Sequence, residues 1–440
     1  MGGERRCGEG GRSGQTSDRE NGEVIVAPSR ATLLRALGVT ILVVTAIPVV
    51  RHYLIRYPVE IWQVDLEVYR EAARALVSGF PLYDVRTPPP QFLPFTYPPF
   101  AALVGLPLAI GSFTAVGWAW TVLQLVLLWV TVGMAFRPFL DRFGDRRGLV
   151  QGLLASCGVL TMPVLEGIRF GQVNAVVVAL CLADVARRVP EGGLRMPRGV
   201  LVGLAAAVKL TPAAFWVHWA VARRWRTLAI SVGTAAGVTL VTALLLPAAS
   251  ARFWTDALLD PERLGPNAGT SNQSLRGVLL RVWPGDPGLG TVLWLVLVVL
   301  VGGAGFWLSA RLDRLGEPVA VVAVVGLVAL LVSPVSWVHH YHWCVVVVAV
   351  LLGDGRRWQG VAAATVLSAA LWARLPWLGL SMLEGDLPRW IGRTAQNGFA
   401  LLAVAALAMI WWLMVRTAER QPRSCPVTTN ESDRPAWQRG

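Results

Sequence analysis

Long apolar runs, separated by short basic or Pro- and Gly-rich segments, recur from Leu33 to Val415. A run of about 20 apolar residues is long enough for an α-helix to cross the hydrocarbon core of a bilayer. Backbone groups in lipid must pair within the chain, and the alternating pattern of a membrane β-barrel is absent. The pattern therefore predicts an all-α, polytopic helical membrane protein with about 10 to 13 membrane passes, some of them broken or re-entrant.

The apolar runs form one predicted membrane domain, residues 31–417. Residues 1–30 and 418–440 offer little apolar surface to bury, so we expect disordered cytoplasmic tails there. If the Arg-rich loops are cytoplasmic, as the positive-inside rule predicts, the polar segments 51–96 and 249–287 lie on the extracytoplasmic side.

Two apolar segments do not fit a simple crossing. Segment 97–112 opens with Tyr-Pro-Pro, and we expect it to enter the membrane and return on the same side. Segment 199–222 has Arg-rich flanks at both ends, and residues 208–212 in its middle include a lysine and a proline. Two half-helices that break there keep both basic flanks in the cytoplasm. A tight outer turn is predicted at residues 166–174.

Composition supports the membrane assignment, and the positions of the arginines account for the net positive charge. The chain is 54% hydrophobic and 15% charged, which is too little charge to cover the surface of a soluble protein of this length. The net charge of +13 could indicate nucleic-acid binding, but the arginines lie in short loops and tails. We therefore expect membrane lipids as partners and no nucleic acid.

The first predicted outer loop carries Asp65 and Tyr69, which are four residues apart and share one face of a helix. A carboxylate close to the bilayer, beside aromatic rings and away from bulk water, is suited to take a proton from a hydroxyl group. The alternative interpretation is an ordinary solvated carboxylate in a loop.

Lys209 is the only lysine in the chain, since the other basic residues counted among the 40 are arginines. It lies inside an apolar stretch, where a charge costs roughly 2.5–3.5 kcal/mol and usually faces a site or a partner. A compact ammonium group beside a helix break suits contact with phosphate. The alternative is a lysine whose ammonium group reaches the membrane interface.

Three of the five histidines lie at positions 339, 340 and 342, after a Ser-Pro-Val-Ser-Trp sequence. We expect His339 and His340 to hydrogen-bond phosphate or sugar hydroxyls at the membrane edge. No second metal-ligand motif accompanies them, so no metal site is predicted. The alternative is an interfacial belt formed with the neighbouring aromatic residues.

Two further polar clusters fall in predicted outer turns: Glu166, Arg169, Gln172 and Asn174 in the first, and Asn272, Gln273, Ser274 and Arg276 in the second. Amide, hydroxyl and guanidinium groups suit a pocket for sugar and phosphate. Alternatively, Glu166 and Arg169 pair with each other. No nucleotide-binding motif is present, so an enzyme of this kind needs a donor that itself lies in the membrane.

Taken together, these segments resemble the bacterial polyprenol-phosphate-mannose-dependent α-1,2-mannosyltransferases, a branch of the GT-C glycosyltransferases. The resemblance runs in order across about residues 60–345. The matching sequences are Asp65-Leu66-Glu67-Val68-Tyr69, Gly79-Phe80-Pro81-Leu82-Tyr83, Phe95-Thr96-Tyr97-Pro98-Pro99-Phe100, Gly171-Gln172-Val173-Asn174, Lys209-Leu210-Thr211-Pro212, Asn272-Gln273-Ser274 and Ser333-Pro334-Val335-Ser336-Trp337 with His339-His340.

The resemblance implies a GT-C fold and an inverting mannosyltransferase that acts on the outer face of the cell membrane. The family takes mannose from a polyprenyl phosphate carrier, and its acceptors include phosphatidylinositol mannosides, lipomannan and lipoarabinomannan of the actinobacterial cell envelope. The donor linkage is β and the product linkage α, so one displacement is implied. No cofactor or metal is expected beyond this lipid-linked donor.

The resemblance also implies roles for the candidate residues. Asp65 is the expected catalytic base. Lys209, Arg276, His339 and His340 are expected to bind the donor phosphate. The expected contacts to sugar or acceptor are Tyr69, Glu166, Arg169, Gln172, Asn174, Asn272, Gln273 and Ser274.

Two other functions are consistent with parts of the sequence. A transporter or flippase for a lipid-linked sugar would also need basic and aromatic groups, but it predicts internal repeats that the sequence does not display convincingly. A GT-C enzyme that transfers another sugar, such as arabinose, remains the alternative within enzymes.

Overall fold

The computed structural model describes residues 28–416 except for 57–61, 188–195, 261–262, 264 and 284. In this part of the chain the regular structure consists of α-helices, short 3₁₀- and π-helical turns and two isolated β-bridges. The predicted all-α polytopic architecture is confirmed. Nearly all of the two predicted tails lies outside the described residues.

The first half of the described chain forms ten α-helices. They are α1 (Arg30–Val50), α2 (Val64–Ser78), α3 (Pro99–Val104), α4 (Phe113–Ala135), α5 (Arg137–Leu140), α6 (Arg147–Val159), α7 (Met162–Phe170), α8 (Asn174–Ala186), α9 (Val200–Val208) and α10 (Ala214–Val221).

Ten more α-helices follow in the second half of the described chain. They are α11 (Trp225–Leu245), α12 (Pro247–Arg252), α13 (Leu275–Val282), α14 (Pro287–Arg314), α15 (Pro318–Val332), α16 (Cys344–Leu352), α17 (Trp358–Trp372), α18 (Leu375–Met382), α19 (Arg389–Gln396) and α20 (Gly398–Ile410).

Five of the described helices are long and apolar enough to cross a membrane: α1, α4, α11, α14, and α20 with its extension to Val415. Two bent pairs, α6–α7 and α17–α18, qualify when each pair is taken together, with bends of 74° and 58°. Shorter apolar helices are α8, α15 and the stretch Val338–Leu352. The chain is therefore a multi-pass membrane protein in which several apolar segments bend or break.

Both unusual segments break as the sequence predicts. α3 has only 6 residues and is followed by the 3₁₀ turn Leu106–Ala109, so segment 97–112 does not form one crossing helix. α9 ends at Val208 because Lys209 is extended, with φ −147° and ψ 125°. Helical structure resumes in a 3₁₀ turn that has proline in its first positions. Segment 199–222 therefore consists of two half-helices that meet at Lys209.

The prediction of an outer turn over residues 166–174 was wrong in its extent. Glu166 and Arg169 lie within α7, and α8 already begins at Asn174. A proline in the first turn of α7 and the left-handed Gly171 after it mark the true ends of this short helix. The connection to α8 is therefore only residues 171–173.

α15 forms the centre of the bundle, because nearly all of its residues are buried and it contacts α8, α10, α14, α16 and α20. At the periphery, α1 and α6 approach each other through glycines. A methyl group added to Gly38, Gly148 or Gly152 would overlap backbone atoms of the opposite helix. Small residues allow such close backbone contact between membrane helices, where van der Waals packing supplies much of the attraction.

Replacing Gly152 with leucine should force α1 and α6 apart and lower the free energy of unfolding by about 2 kcal/mol, as overpacking usually does. Thermal unfolding in detergent measures the change. Gly233→Leu is the matched control, because Gly233 also lies in a membrane helix but has no atom within 4 Å of an added Cβ. Equal unfolding temperatures for the two variants would contradict the tight α1–α6 contact.

Candidate active site

Asp65 lies in the first turn of α2, and a hydrogen-bonded glutamine fixes the start of this helix. Gln63 adopts a left-handed conformation, with φ 47°, and its side chain is fully buried. Its Nε2 donates to Thr121 Oγ1 at 2.9 Å and to the Gly117 carbonyl at 3.3 Å, both on α4. The position of Asp65 is therefore tied to a membrane-spanning helix.

The turn between α7 and α8 comes close to α2 because it contains glycine at position 171. Gly171 has φ +67°, and a Cβ atom there would lie 2.6 Å from Leu66 Cβ. This approach places Gln172 beside Asp65, and Gln172 Nε2 donates to Asp65 Oδ2 at 2.7 Å. The two predicted site residues, far apart in sequence, are therefore in direct contact.

Two tyrosine hydroxyls extend this contact. Tyr69 Oη donates to Gln172 Oε1 at 3.2 Å and lies 3.0 Å from Tyr97 Oη. The two tyrosine rings meet edge to face, with centroids 5.1 Å apart. Asp65, Gln172, Tyr69 and Tyr97 thus form one continuous hydrogen-bonded group.

The Asp65 carboxylate keeps some solvent exposure, yet protein surrounds it closely. Burial raises its pKa to about 6, and this effect outweighs the lowering by the Gln172 hydrogen bond and by the positive charge of Lys209. A carboxylate with a pKa near neutrality is well matched to general-base work.

Lys209 is 8% exposed and lies beside Tyr97. Its Nζ donates to Asn174 Oδ1 at 2.8 Å and lies 5.6 Å from the centre of the Tyr97 ring. Asn174 Nδ2 in turn donates to the His339 carbonyl at 3.0 Å. No carboxylate forms a salt bridge with Lys209 within the described residues. The ammonium group is stabilised by the hydrogen bond to Asn174 and, at longer range, by the negative charge of Asp65.

The residues from Asp65 to Lys209 form one cluster, whose members are Asp65, Tyr69, Tyr97, Gln172, Asn174 and Lys209. His339 and His340 lie next to this cluster. His339 is 6% exposed, packs 5.1 Å from the Phe170 ring and 4.8 Å from the His340 ring, and has no hydrogen-bond partner on either ring nitrogen among the described residues. His340 Nδ1 accepts a hydrogen bond from the Trp337 backbone at 3.3 Å. His339 therefore has unused hydrogen-bonding capacity on both ring nitrogens, whereas the nearby buried His342 lacks a partner only at Nε2 among the described residues.

Glu166 and Arg169 pair with each other, as the alternative interpretation of the sequence expected. Arg169 Nη1 lies 3.0 Å from Glu166 Oε2, and the guanidinium lies 4.9 Å from the centre of the Phe170 ring. The pair adjoins His339 through Phe170.

Asn272 and Gln273 use their amide groups within the protein. Asn272 donates to two backbone carbonyls and accepts from the amides of Ser274 and Ser336. Gln273 likewise donates to two carbonyls and accepts from two backbone amides at the start of α20. Both side chains are fully buried. We therefore assign them a structural role and not the sugar-binding role expected from the sequence.

Ser274 and Arg276 also lie outside the cluster. The Ser274 hydroxyl caps α13 by accepting from the Gly277 amide at 3.0 Å, and it donates to the Pro334 carbonyl at 3.1 Å. The Arg276 guanidinium stacks on Trp294, 5.6 Å from the ring centre, and has no described contact with Lys209 or His339. The structure does not bring Arg276 to the expected phosphate-binding group.

The sequence-based list of site residues omitted Tyr97, which contacts both Tyr69 and Lys209. A signal was present, because Tyr97 precedes two prolines at the start of the segment that breaks inside the membrane. Only the fold reveals that its hydroxyl reaches the group around Asp65.

An apolar cavity of about 400 Å³ opens beside the cluster. Tyr69 and Tyr97 supply polar hydroxyl groups to its lining, and Trp120 and Leu123 of α4 form part of its apolar wall. An apolar groove with a few convergent polar groups at one end suits a ligand with a hydrocarbon chain and a polar head. No group of three or more potential metal ligands occurs among the residues that the structure describes.

Comparison with known proteins identifies related sequences. The model of glycosyltransferase family 87 matches residues 95–334. A polyprenol-phosphate-mannose-dependent α-(1-2)-phosphatidylinositol mannoside mannosyltransferase of Mycobacterium tuberculosis is 33% identical over 371 residues, which cover 80% of this chain and 83% of the relative. A polyprenol-phosphate-mannose-dependent α-(1-2)-phosphatidylinositol pentamannoside mannosyltransferase of Mycolicibacterium smegmatis is 35% identical over 370 residues, with 80% and 84% coverage. No solved structure matches significantly.

Replacing Gly171 with alanine should disturb the contact between α2 and the α7–α8 turn. Alanine at positive φ costs about 1 kcal/mol, and the added Cβ would also collide with Leu66. Gly79→Ala is the control, because Gly79 has φ +72° but nothing within 4 Å of an added Cβ. We expect the midpoint of thermal unfolding to be about 2–4 °C lower for Gly171→Ala than for Gly79→Ala; equal midpoints would refute the close approach.

Proposed function

This chain belongs to glycosyltransferase family 87, and we propose that it transfers mannose from a polyprenyl phosphate carrier to a glycolipid through an α-1,2 linkage. The names of its relatives support this donor and an acceptor of the phosphatidylinositol mannoside class. The observation that carries the proposal is the position of a carboxylate, Asp65, and a cation, Lys209, on either end of a group of contacts through Gln172, Tyr69 and Tyr97, of which the two tyrosines line an apolar cavity.

The apolar cavity beside the cluster suits the lipid part of the donor. Its apolar wall, which includes Trp120 and Leu123, would hold the isoprenoid units nearest the phosphate. The phosphate would then lie next to the hydroxyl groups of the cavity lining, within reach of Lys209 and His339. An ammonium group can donate to phosphate oxygens, and a neutral imidazole can donate through one ring nitrogen.

The reaction is one displacement at the anomeric carbon. Asp65 accepts the proton of the acceptor hydroxyl while its oxygen bonds to that carbon, and the bond from the carbon to the phosphate oxygen breaks. The leaving electron pair stays on the phosphate, which becomes a monoester. Lys209 stabilises this charge, with His339 and His340 as further candidates. Because attack and departure occur on opposite faces, a β-linked donor gives an α-linked product.

This leaving group is already a stable anion, so the reaction requires positioned cations more than a general acid. We therefore propose no metal or cofactor besides the lipid-linked donor. The neighbouring Glu166–Arg169 pair lies close enough to His339, through Phe170, to contribute to acceptor binding. Asn174 uses its amide for Lys209 and for a backbone carbonyl, which gives it a positioning role.

We place the active site on the extracytoplasmic face of the cell membrane. α8 begins in the cluster at Asn174 and ends before Arg187, about 20 Å away along the helix axis. α4 likewise begins near Gln63 and ends before Arg137. Because arginines concentrate at the opposite end of these helices, the positive-inside rule favours an extracytoplasmic position of the cluster.

Lipomannan and lipoarabinomannan are further proposed acceptors of the same chemical class.

Asp65→Asn should abolish transfer, since removal of a general base typically costs 10²–10⁴-fold in rate. Membranes that contain the protein are incubated with radiolabelled polyprenyl phosphomannose and phosphatidylinositol mannosides, and label in a larger glycolipid is measured. Glu71→Gln is the control, because Glu71 lies on the same helix and pairs with Arg74 at the surface. Equal transfer by Asp65→Asn and wild type would remove Asp65 from the mechanism. Transport of labelled donor without product would favour a flippase.

The rate should also fall in acid. Asp65 acts only when ionised, and its raised pKa keeps it protonated up to about pH 6, whereas an ordinary aspartate ionises near pH 4. Since kcat/KM reports the ionisation of the free enzyme, we expect kcat/KM at pH 5 to be about a tenth of its plateau value. A rate that stays constant from pH 7 to pH 5, with the protein still folded, would contradict this role.

A further inference from the structure

The hydrogen bonds around Asp65 have a fixed direction. An ionised carboxylate only accepts hydrogen bonds, so the group of Gln172 that faces Asp65 Oδ2 must be its amide nitrogen. The amide oxygen of Gln172 then points to Tyr69, whose hydroxyl must donate to it. The orientation of the Gln172 amide thus follows from chemistry as well as from geometry.

The same reasoning extends to Tyr97. Tyr69 has one hydroxyl proton, which Gln172 Oε1 accepts, so the contact of 3.0 Å between the tyrosine hydroxyls requires Tyr97 to donate to Tyr69. Tyrosine is protonated at neutral pH, and burial raises the pKa of Tyr69 further above its ordinary value, so the hydroxyls keep their protons. The donors therefore run in one direction from Tyr97 through Tyr69 and Gln172 to Asp65, and further contacts of Tyr97 with Gln172 and of Tyr69 with the Val173 backbone hold the group together.

This arrangement distinguishes the two oxygens of Asp65. Oδ2 is engaged by Gln172 Nε2, which cannot take up a proton. Oδ1 forms no hydrogen bond with the described residues. An oxygen that already accepts a hydrogen bond is the weaker base, so the proton of an incoming hydroxyl goes to Oδ1.

We propose that Tyr97, Tyr69 and Gln172 form a directed hydrogen-bond chain that positions Asp65 and makes its Oδ1 the proton acceptor. The inference rests on the proposed function, in which Asp65 is the catalytic base. It assigns Tyr69 and Gln172, 7% and 3% exposed, as positioning residues and not as sugar ligands. During the reaction the acceptor's proton moves to Oδ1, and no proton needs to move along the chain.

Loss of the Tyr69 hydroxyl tests the chain. In Tyr69→Phe the Gln172 oxygen has no donor, so the amide is no longer held with its nitrogen towards Asp65. When Asp65 is protonated, the amide can turn and accept a hydrogen bond from the carboxyl, which favours the protonated form and raises the pKa of Asp65. The acid limb of the pH–rate profile should move up by about one pH unit. The KM for the donor should change less than about two-fold, since a positioning residue acts on the chemical step.

Two further variants make the test specific. Tyr97→Phe removes the first donor and should shift the acid limb in the same direction by a smaller amount. Tyr341→Phe is the control, because Tyr341 is equally buried and its hydroxyl donates only to the Gln273 carbonyl, outside the chain. It should keep the wild-type profile. An unchanged acid limb in Tyr69→Phe, or an equal shift in Tyr341→Phe, would overturn the proposal.

A second readout is independent of activity. Infrared difference spectra across a pH titration detect the carbonyl band of the protonated Asp65 carboxyl, identified by its loss in Asp65→Asn. The midpoint should be higher in Tyr69→Phe than in the wild type. If the wild type transfers no mannose, the proposed function fails, and the infrared midpoints alone decide about the hydrogen-bond chain: a common midpoint for both proteins would overturn it.

Discussion

The structure depends most on one constraint: a buried lysine, Lys209, and a half-buried carboxylate, Asp65, lie near each other without a direct salt bridge. Lys209 is bonded to a neutral amide, and Asp65 to another. Two charges in such surroundings are costly unless hydrogen bonds and nearby opposite charge compensate them. Here each charged group has one hydrogen bond to an amide and can accept a further partner. A substrate phosphate can bind Lys209 and a substrate hydroxyl can bind Asp65, which is what catalysis requires.

The irregular parts of the fold serve this arrangement. Segment 199–222 breaks at Lys209, and the ammonium group of this residue lies beside Tyr97 and Asn174. The short α3 ends early and leaves room for the apolar cavity between itself and α4. The left-handed Gly171 lets one turn carry Gln172 to Asp65. Each irregularity thus either presents a polar group or opens space for an apolar chain.

The sequence predicted the parts of this site that leave a strong local signal. Lys209 is the only lysine, and the proline that follows it closely predicted the helix break that the structure contains. Asp65 and Tyr69 followed from their spacing on one helix face. The amide residues were harder, because an asparagine that serves a ligand and one that serves the backbone look alike in sequence. Asn272 and Gln273 turned out to serve the backbone, and Tyr97 entered the site through a contact between segments 28 residues apart.

The most direct test of the account is a cryo-electron-microscopy structure of the protein with a bound polyprenyl phosphate. We predict phosphate density in contact with Lys209 and His339, and prenyl density that runs from there into the cavity beside Tyr97 and Trp120. Phosphate density at Arg276, or a prenyl chain that leaves this cavity empty, would contradict the assignment of the cluster as the active site.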